Sequence, residues 1–202
     1  KEINKLSVKD IAGICDHTFL NRTEAYKVEA IKSENPITLR EHAFHNFLEE
    51  TAGMSYSPYA VCVRPEEVKH TKRYLSGYEK ADIKIASVVG FPDGSLYPTD
   101  FKLAETELAI KHGADEIDFV LNYDEFKIRH NNYCEGEIKD IVELAQKNNV
   151  LTKMILEISE LSYGQIEDAC YIANKAGVDF IKTSTGFSSS GAKPDELAIM
   201  RY

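Results

Sequence analysis

Short runs of apolar and β-branched residues alternate along the chain with longer stretches whose apolar positions recur at helical spacing. The short runs fall at residues 14–18, 59–63, 83–89, 116–121, 151–158 and 180–183, and they predict six strands. Helical patterns at 100–112, 137–148 and 163–176 lie between them, each closing on the Lys, His, Asn or Gly that helix C-termini favour. This alternation predicts a parallel sheet joined by helical crossovers, an α/β fold.

An internal repeat sharpens that expectation. Ala109-x-Lys111-x-Gly113-Ala114-Asp115 returns as Ala173-x-Lys175-x-Gly177-Val178-Asp179, 64 residues later and again just ahead of a strand. The offset is two units of about 32 residues, a size suited to one strand and its helix. The two glycines fit left-handed caps that turn a helix into the next strand, so a structural role accounts for the motif. Residues 22–57 break the rhythm, with Pro36 and Gly53 around a helical stretch at 39–50. They predict a helical insertion between the first two strands of a single domain covering 1–202. Pro194-Asp195-Glu196-Leu197 predicts the start of a further helix.

Composition narrows the function classes. A formal net charge of −9 over 202 residues, with no dense Lys/Arg run, argues against a nucleic-acid partner and favours a small-molecule one. Cys15, Cys62, Cys134 and Cys170 are scattered, which suggests reduced thiols in the cytoplasm and neither a disulfide frame nor a zinc site. No apolar run approaches the roughly 18 residues of a membrane span. The charged start Lys1-Glu2-Ile3-Asn4-Lys5 is not followed by a signal-peptide core, so no membrane partner is expected.

The repeat also relates two charged residues. Lys182 and Asp118 are 64 residues apart, in equivalent places on strands two apart. In an eight-stranded barrel alternate strands fill one layer, so both side chains would point inward together. Two readings stay open: a buried ion pair, or a reactive amine beside its proton acceptor. At an ordinary pKa of about 10.4 only roughly 0.04% of a lysine is neutral at pH 7; a depression of about three units raises that to about a quarter. Lys153, on the intervening strand, is a candidate source of the positive potential this needs, or a lysine snorkelling at a strand entrance.

Other candidates are weaker. Cys62, in an apolar strand, fits a buried wall better than a nucleophile. His17 falls on the strand face opposite Asp16 and fits a helix-facing structural role. His42 and His45, at i and i+3, fit surface residues better than a metal pair, and His70, His112 and His130 also look like surface residues. The loop Thr185-Gly186-Phe187-Ser188-Ser189-Ser190-Gly191 follows the sixth strand, where small residues let backbone N–H groups approach a phosphate; alone, such a loop is more often a plain turn.

Together these segments resemble a known family. Phe180-Ile181-Lys182-Thr183-Ser184-Thr185-Gly186-Phe187-Ser188 is similar to the Schiff-base motif of deoxyribose-phosphate aldolases, and Gly113-Ala114-Asp115-Glu116-Ile117-Asp118-Phe119-Val120 to the segment with their catalytic aspartate. Asp16-His17-Thr18, Val61-Cys62-Val63-Arg64-Pro65, Val88-Val89-Gly90-Phe91-Pro92-Asp93-Gly94, and Lys153 with Glu157 match in the same order. The resemblance implies a TIM (β/α)8 barrel that cleaves 2-deoxy-D-ribose 5-phosphate without metal or cofactor. It assigns Lys182 as the Schiff-base lysine and Asp118 as the proton carrier, and places Lys153 with them as a further catalytic residue. Asp16, Thr18, Cys62, Thr185, Gly186 and Ser188 would meet the sugar phosphate, and a homodimer is expected.

Only about six of the barrel's eight strand–helix units are visible, against the roughly 250 residues of a complete one. The chain therefore reads as a fragment or a truncated homologue, and the family's second lysine, on strand seven, is not among these residues. Competing readings are another Schiff-base sugar-phosphate aldolase, such as one resembling transaldolase, and a catalytically silent barrel acting as a binding or scaffold protein.

Overall fold

A computed structural model describes residues 5–27, 35–80 and 82–201. The predicted insertion at 22–57 therefore lies partly outside the described residues, at 28–34, as does the charged start at 1–4. The chain forms two compact units whose boundary falls between Ala86 and Ser87.

The first unit opens with α1 (Val8–Ala12), held by a capping box in which Ser7 and Asp10 bond reciprocally. Strand β1 (Asp16–Thr18) follows, then a 3-10 turn at Thr23–Tyr26 and the long helix α2 (Pro36–Gly53), which begins with Asn35 as N-cap and proline in its first turn. The irregular stretch thus carries a helix longer than the 39–50 predicted. Strand β2 (Ala60–Val63) and α3 (Val68–Ser76) complete the unit's main elements. Parallel pairing sets Asp16 against Ala60 and Thr18 against Cys62.

Helix α2 buries Phe44, Phe47 and Leu48. His17 faces this helix, as its strand parity predicts: its ring lies 4.4 Å from Phe47, and Nδ1 is 2.9 Å from Thr51 Oγ1. Thr51 already donates its hydroxyl hydrogen to the Phe47 carbonyl, so the proton between the two side chains belongs to His17. Burial lowers the His17 pKa, against a weaker upward pull from Glu50.

Strand β3 (Lys84–Val89) begins in the first unit and ends in the second. The second unit continues with α4 (Thr99–His112), β4 (Glu116–Val120), α5 (Tyr123–Lys127), α6 (Asn131–Lys147), β5 (Leu151–Ile155), α7 (Tyr163–Ala176), β6 (Phe180–Lys182) and α8 (Pro194–Met200). Strand order follows chain order. The repeated glycines do what the motif implies: Gly113 at φ 98° and Gly177 at φ 80° are left-handed, and the residue after each donates back into its helix.

Besides those of α2, two boundaries differ from expectation by three residues or more. Strand β5 ends at Ile155 because Glu157 takes a left-handed conformation and the chain enters a 3-10 turn at Ile158–Glu160. Helix α6 starts at Asn131, six residues early, because Cys134 belongs to its buried face while a side chain at Gly136 would meet nothing.

A charged pair holds the interior of this unit. Lys102 of α4 and Glu137 of α6 meet at 2.6 Å with both side chains shut off from solvent. The lysine also donates to the Val120 carbonyl at the end of β4, and Thr99 donates to the glutamate. Burial lowers the Lys102 pKa and Glu137 partly restores it.

Candidate active site

Three neighbouring strands of the second unit bring four charged side chains to one face. In the parallel register Asp118 lies opposite Lys153 and Ile155 lies opposite Lys182. Side chains alternate along a strand, so Glu116 and Asp118 of β4, Lys153 of β5 and Lys182 of β6 share a side.

There they form a row of alternating sign. The Lys153 ammonium contacts the Glu116 carboxylate directly and stands 3.6 Å from Asp118 Oδ1. Asp118 Oδ2 accepts a hydrogen bond from Lys182 Nζ at 2.9 Å. Both carboxylates are buried and the Lys153 side chain is 11% exposed, whereas that of Lys182 is 34% exposed. Lys182 is therefore the amine a ligand can reach, and Asp118 is the base within hydrogen-bond distance of its protons. Asp118 Oδ1 is buried and makes no hydrogen bond, with the Lys153 ammonium beside it.

The loop after β6 is tied at its start. The Thr185 hydroxyl donates to Glu157 and accepts from the Phe187 N–H at 3.2 Å. Gly186 is left-handed at φ 82°, and it and Ser188 are exposed. In the first unit, Asp16 and Thr18 share a strand face with Cys62, which is fully buried. A cavity of about 680 Å³ lies elsewhere in the second unit, against Ala173 of α7, Ile181 of β6 and Ile199 of α8. Ile181 is on the face opposite Lys182, so this cavity is separate from the charged row.

Strand spacing pointed to Lys182, Asp118 and Lys153, and the structure brings them together. It also adds Glu116, whose signal was available: two residues before Asp118 in the same strand, it had to share that face. His45, half of the i, i+3 pair, faces Glu49 at 3.3 Å. Among the described residues no group of three or more His, Cys, Asp or Glu side chains is placed to hold a metal ion, and no helix is long and apolar enough to cross a membrane.

Comparison with known proteins gives the family. A family model described as DeoC/LacD family aldolase matches residues 14–202. The deoxyribose-phosphate aldolase of Thermococcus gammatolerans is 40% identical over 95% of this chain and 77% of its own. That of Aciduliprofundum boonei is 44% identical over 72% of this chain and 64% of its own, so the match to this second relative spans just under two thirds of it. Among solved structures, a putative deoxyribose-phosphate aldolase from Coccidioides immitis superposes with a TM-score of 0.79 at 30% identity, covering 96% of this chain and 68% of the other. The chain belongs to the DeoC/LacD family of aldolases. Its six strand–helix units are six of the eight in a TIM barrel.

Proposed function

We propose that the protein reversibly cleaves 2-deoxy-D-ribose 5-phosphate to D-glyceraldehyde 3-phosphate and acetaldehyde through a Schiff base on Lys182. The observation that carries this reading is a half-exposed lysine 2.9 Å from a buried aspartate, in a chain whose relatives are named for this activity.

Lys182 Nζ, after passing a proton toward Asp118, attacks C1 of the open-chain aldehyde to give a carbinolamine. Loss of water yields the iminium. Departure of the C3 hydroxyl proton lets the C2–C3 bond break: C3 becomes the aldehyde of glyceraldehyde 3-phosphate, and the electron pair moves into the iminium to form an enamine. Protonation at C2 and addition of water release acetaldehyde and the amine. Asp118, acting through a water, carries these protons, and Lys153 keeps positive potential beside it. Gly186 and Ser188 serve the phosphate, and Thr185 holds the start of their loop. On the strength of the family resemblance, Asp16, Thr18 and Cys62 contact the sugar. A homodimer in the cytoplasm completes the reading, in keeping with four cysteines that form no disulfide.

The test is peptide mapping by mass spectrometry after incubation with deoxyribose 5-phosphate and sodium borohydride. A reduced adduct on Lys182 is expected. Its absence would leave Lys182 and Asp118 as a structural ion pair and favour the binding-protein alternative.

A further inference from the structure

Glu157 does not belong to the charged row, yet its carboxylate is fully buried and its backbone is left-handed, at φ 41° and ψ 67°. Three other non-glycine residues among those described have positive φ: Glu79, Arg129 and Asn149. All three are exposed, in turns that close helices, whereas Glu157 is held in this conformation inside the protein. Something there must retain it.

Its contacts say what. Oε1 accepts from the Ser159 hydroxyl at 3.1 Å, and Oε2 accepts from both the Thr185 N–H, at 3.3 Å, and the Thr185 hydroxyl. On either side of it, Leu156 N–H donates to the Lys182 carbonyl and Ile158 N–H to the Thr183 carbonyl. The segment 156–158 thus tracks the chain from Lys182 onward. The left-handed turn lets the side chain between those two backbone contacts reach Thr185. Because the single Thr185 hydroxyl hydrogen goes to Glu157, this hydroxyl braces the loop and is not a donor for a phosphate. At the loop's next turn, the Phe187 ring packs edge-on against Phe91 at 5.3 Å.

We propose that Glu157 is a positioning residue for substrate phosphate: it fixes the backbone at Thr185, three residues beyond Lys182, so that the Gly186–Ser188 segment is held ready for the anion. This inference rests on the aldolase reading above. It predicts that Glu157 governs the preference for phosphorylated over unphosphorylated substrate while leaving the amine chemistry intact.

The experiment compares deoxyribose 5-phosphate with 2-deoxyribose in the parent protein, Glu157→Gln, Thr185→Val and Thr185→Ser, with borohydride trapping of acetaldehyde on Lys182 as a second readout. An amide can accept at one position only, so Glu157→Gln loses part of the brace; KM for the phosphorylated sugar is expected to rise about tenfold or more. The kcat, the trapping rate and kcat/KM for 2-deoxyribose should stay within about threefold. Thr185→Val should reproduce the loss of preference and Thr185→Ser should restore it, which keeps the test decisive if Glu157→Gln fails to fold. An unchanged preference in Glu157→Gln and Thr185→Val, or an equal fall for both sugars, overturns the inference alone. No Lys182 adduct in the parent overturns the aldolase reading and this inference with it.

Discussion

Lys182 Nζ and Asp118 Oδ2 stand 2.9 Å apart across the width of β5, joined by the register of two strand pairs. The lysine lies at the solvent end of this contact and the aspartate at the buried end, so the two have different work to do. Lys182→Ala is expected to abolish both turnover and the borohydride adduct. Asp118→Asn, which keeps the shape and removes the base, should still form the adduct, but at a rate lower by roughly 10²-fold or more. Near-parental turnover in both variants would refute the assigned roles.

Lys153 is shared between Glu116 and Asp118. Replacing it with methionine removes the cation and leaves two buried carboxylates facing one another. Turnover is expected to fall by at least about tenfold, with Asp118 less able to stay ionised. Glu116→Gln should do less, since Lys153 remains. Steady-state kinetics on both variants, with trapping rates alongside, would show the order; a larger loss in Glu116→Gln contradicts it.

The Lys102–Glu137 pair acts on stability. Lys102→Met leaves the Glu137 carboxylate buried with the Thr99 hydroxyl still donating to it, and breaking such a pair costs about 3–5 kcal/mol. The double variant Lys102→Met/Glu137→Leu should recover most of that loss. Urea unfolding of the single and double variants measures the coupling.

His17 sets a pH dependence. Its folded-state pKa lies below the unfolded value of about 6.5, so protonation favours the unfolded chain. The contribution is complete above that value and is lost as pH falls through the lowered folded pKa. Parental protein should therefore lose more stability between pH 7.5 and pH 5 than His17→Asn does. Equal losses in urea midpoint would remove His17 as the cause.

All six strands were legible because their apolar runs are separated by capped helices, and α7 was legible to its last residue because Ser162 and Gly177 cap its two ends. The end of β5 was not, since Leu156 and Ile158 continue the apolar alternation past Glu157 and only tertiary contacts reveal the left-handed turn. Lys102 and Glu137 were hidden for a different reason. Charged residues in a helix pattern read as a solvated face, and nothing local shows that each has its partner on another helix. Lys182 and Asp118 were legible because the repeat relates their strands. The exposure of Lys182, on which the reactive reading rests, is not carried by sequence spacing.

The row Glu116, Lys153, Asp118, Lys182 alternates in sign with no net charge. An iminium nitrogen carries the same single positive charge as the ammonium it replaces. In the proposed Schiff base, Asp118 would face the same partner charge as in the resting ion pair. On that reading the resting ion pair is an electrostatic replica of the proposed covalent intermediate, built into the strands before any substrate is present.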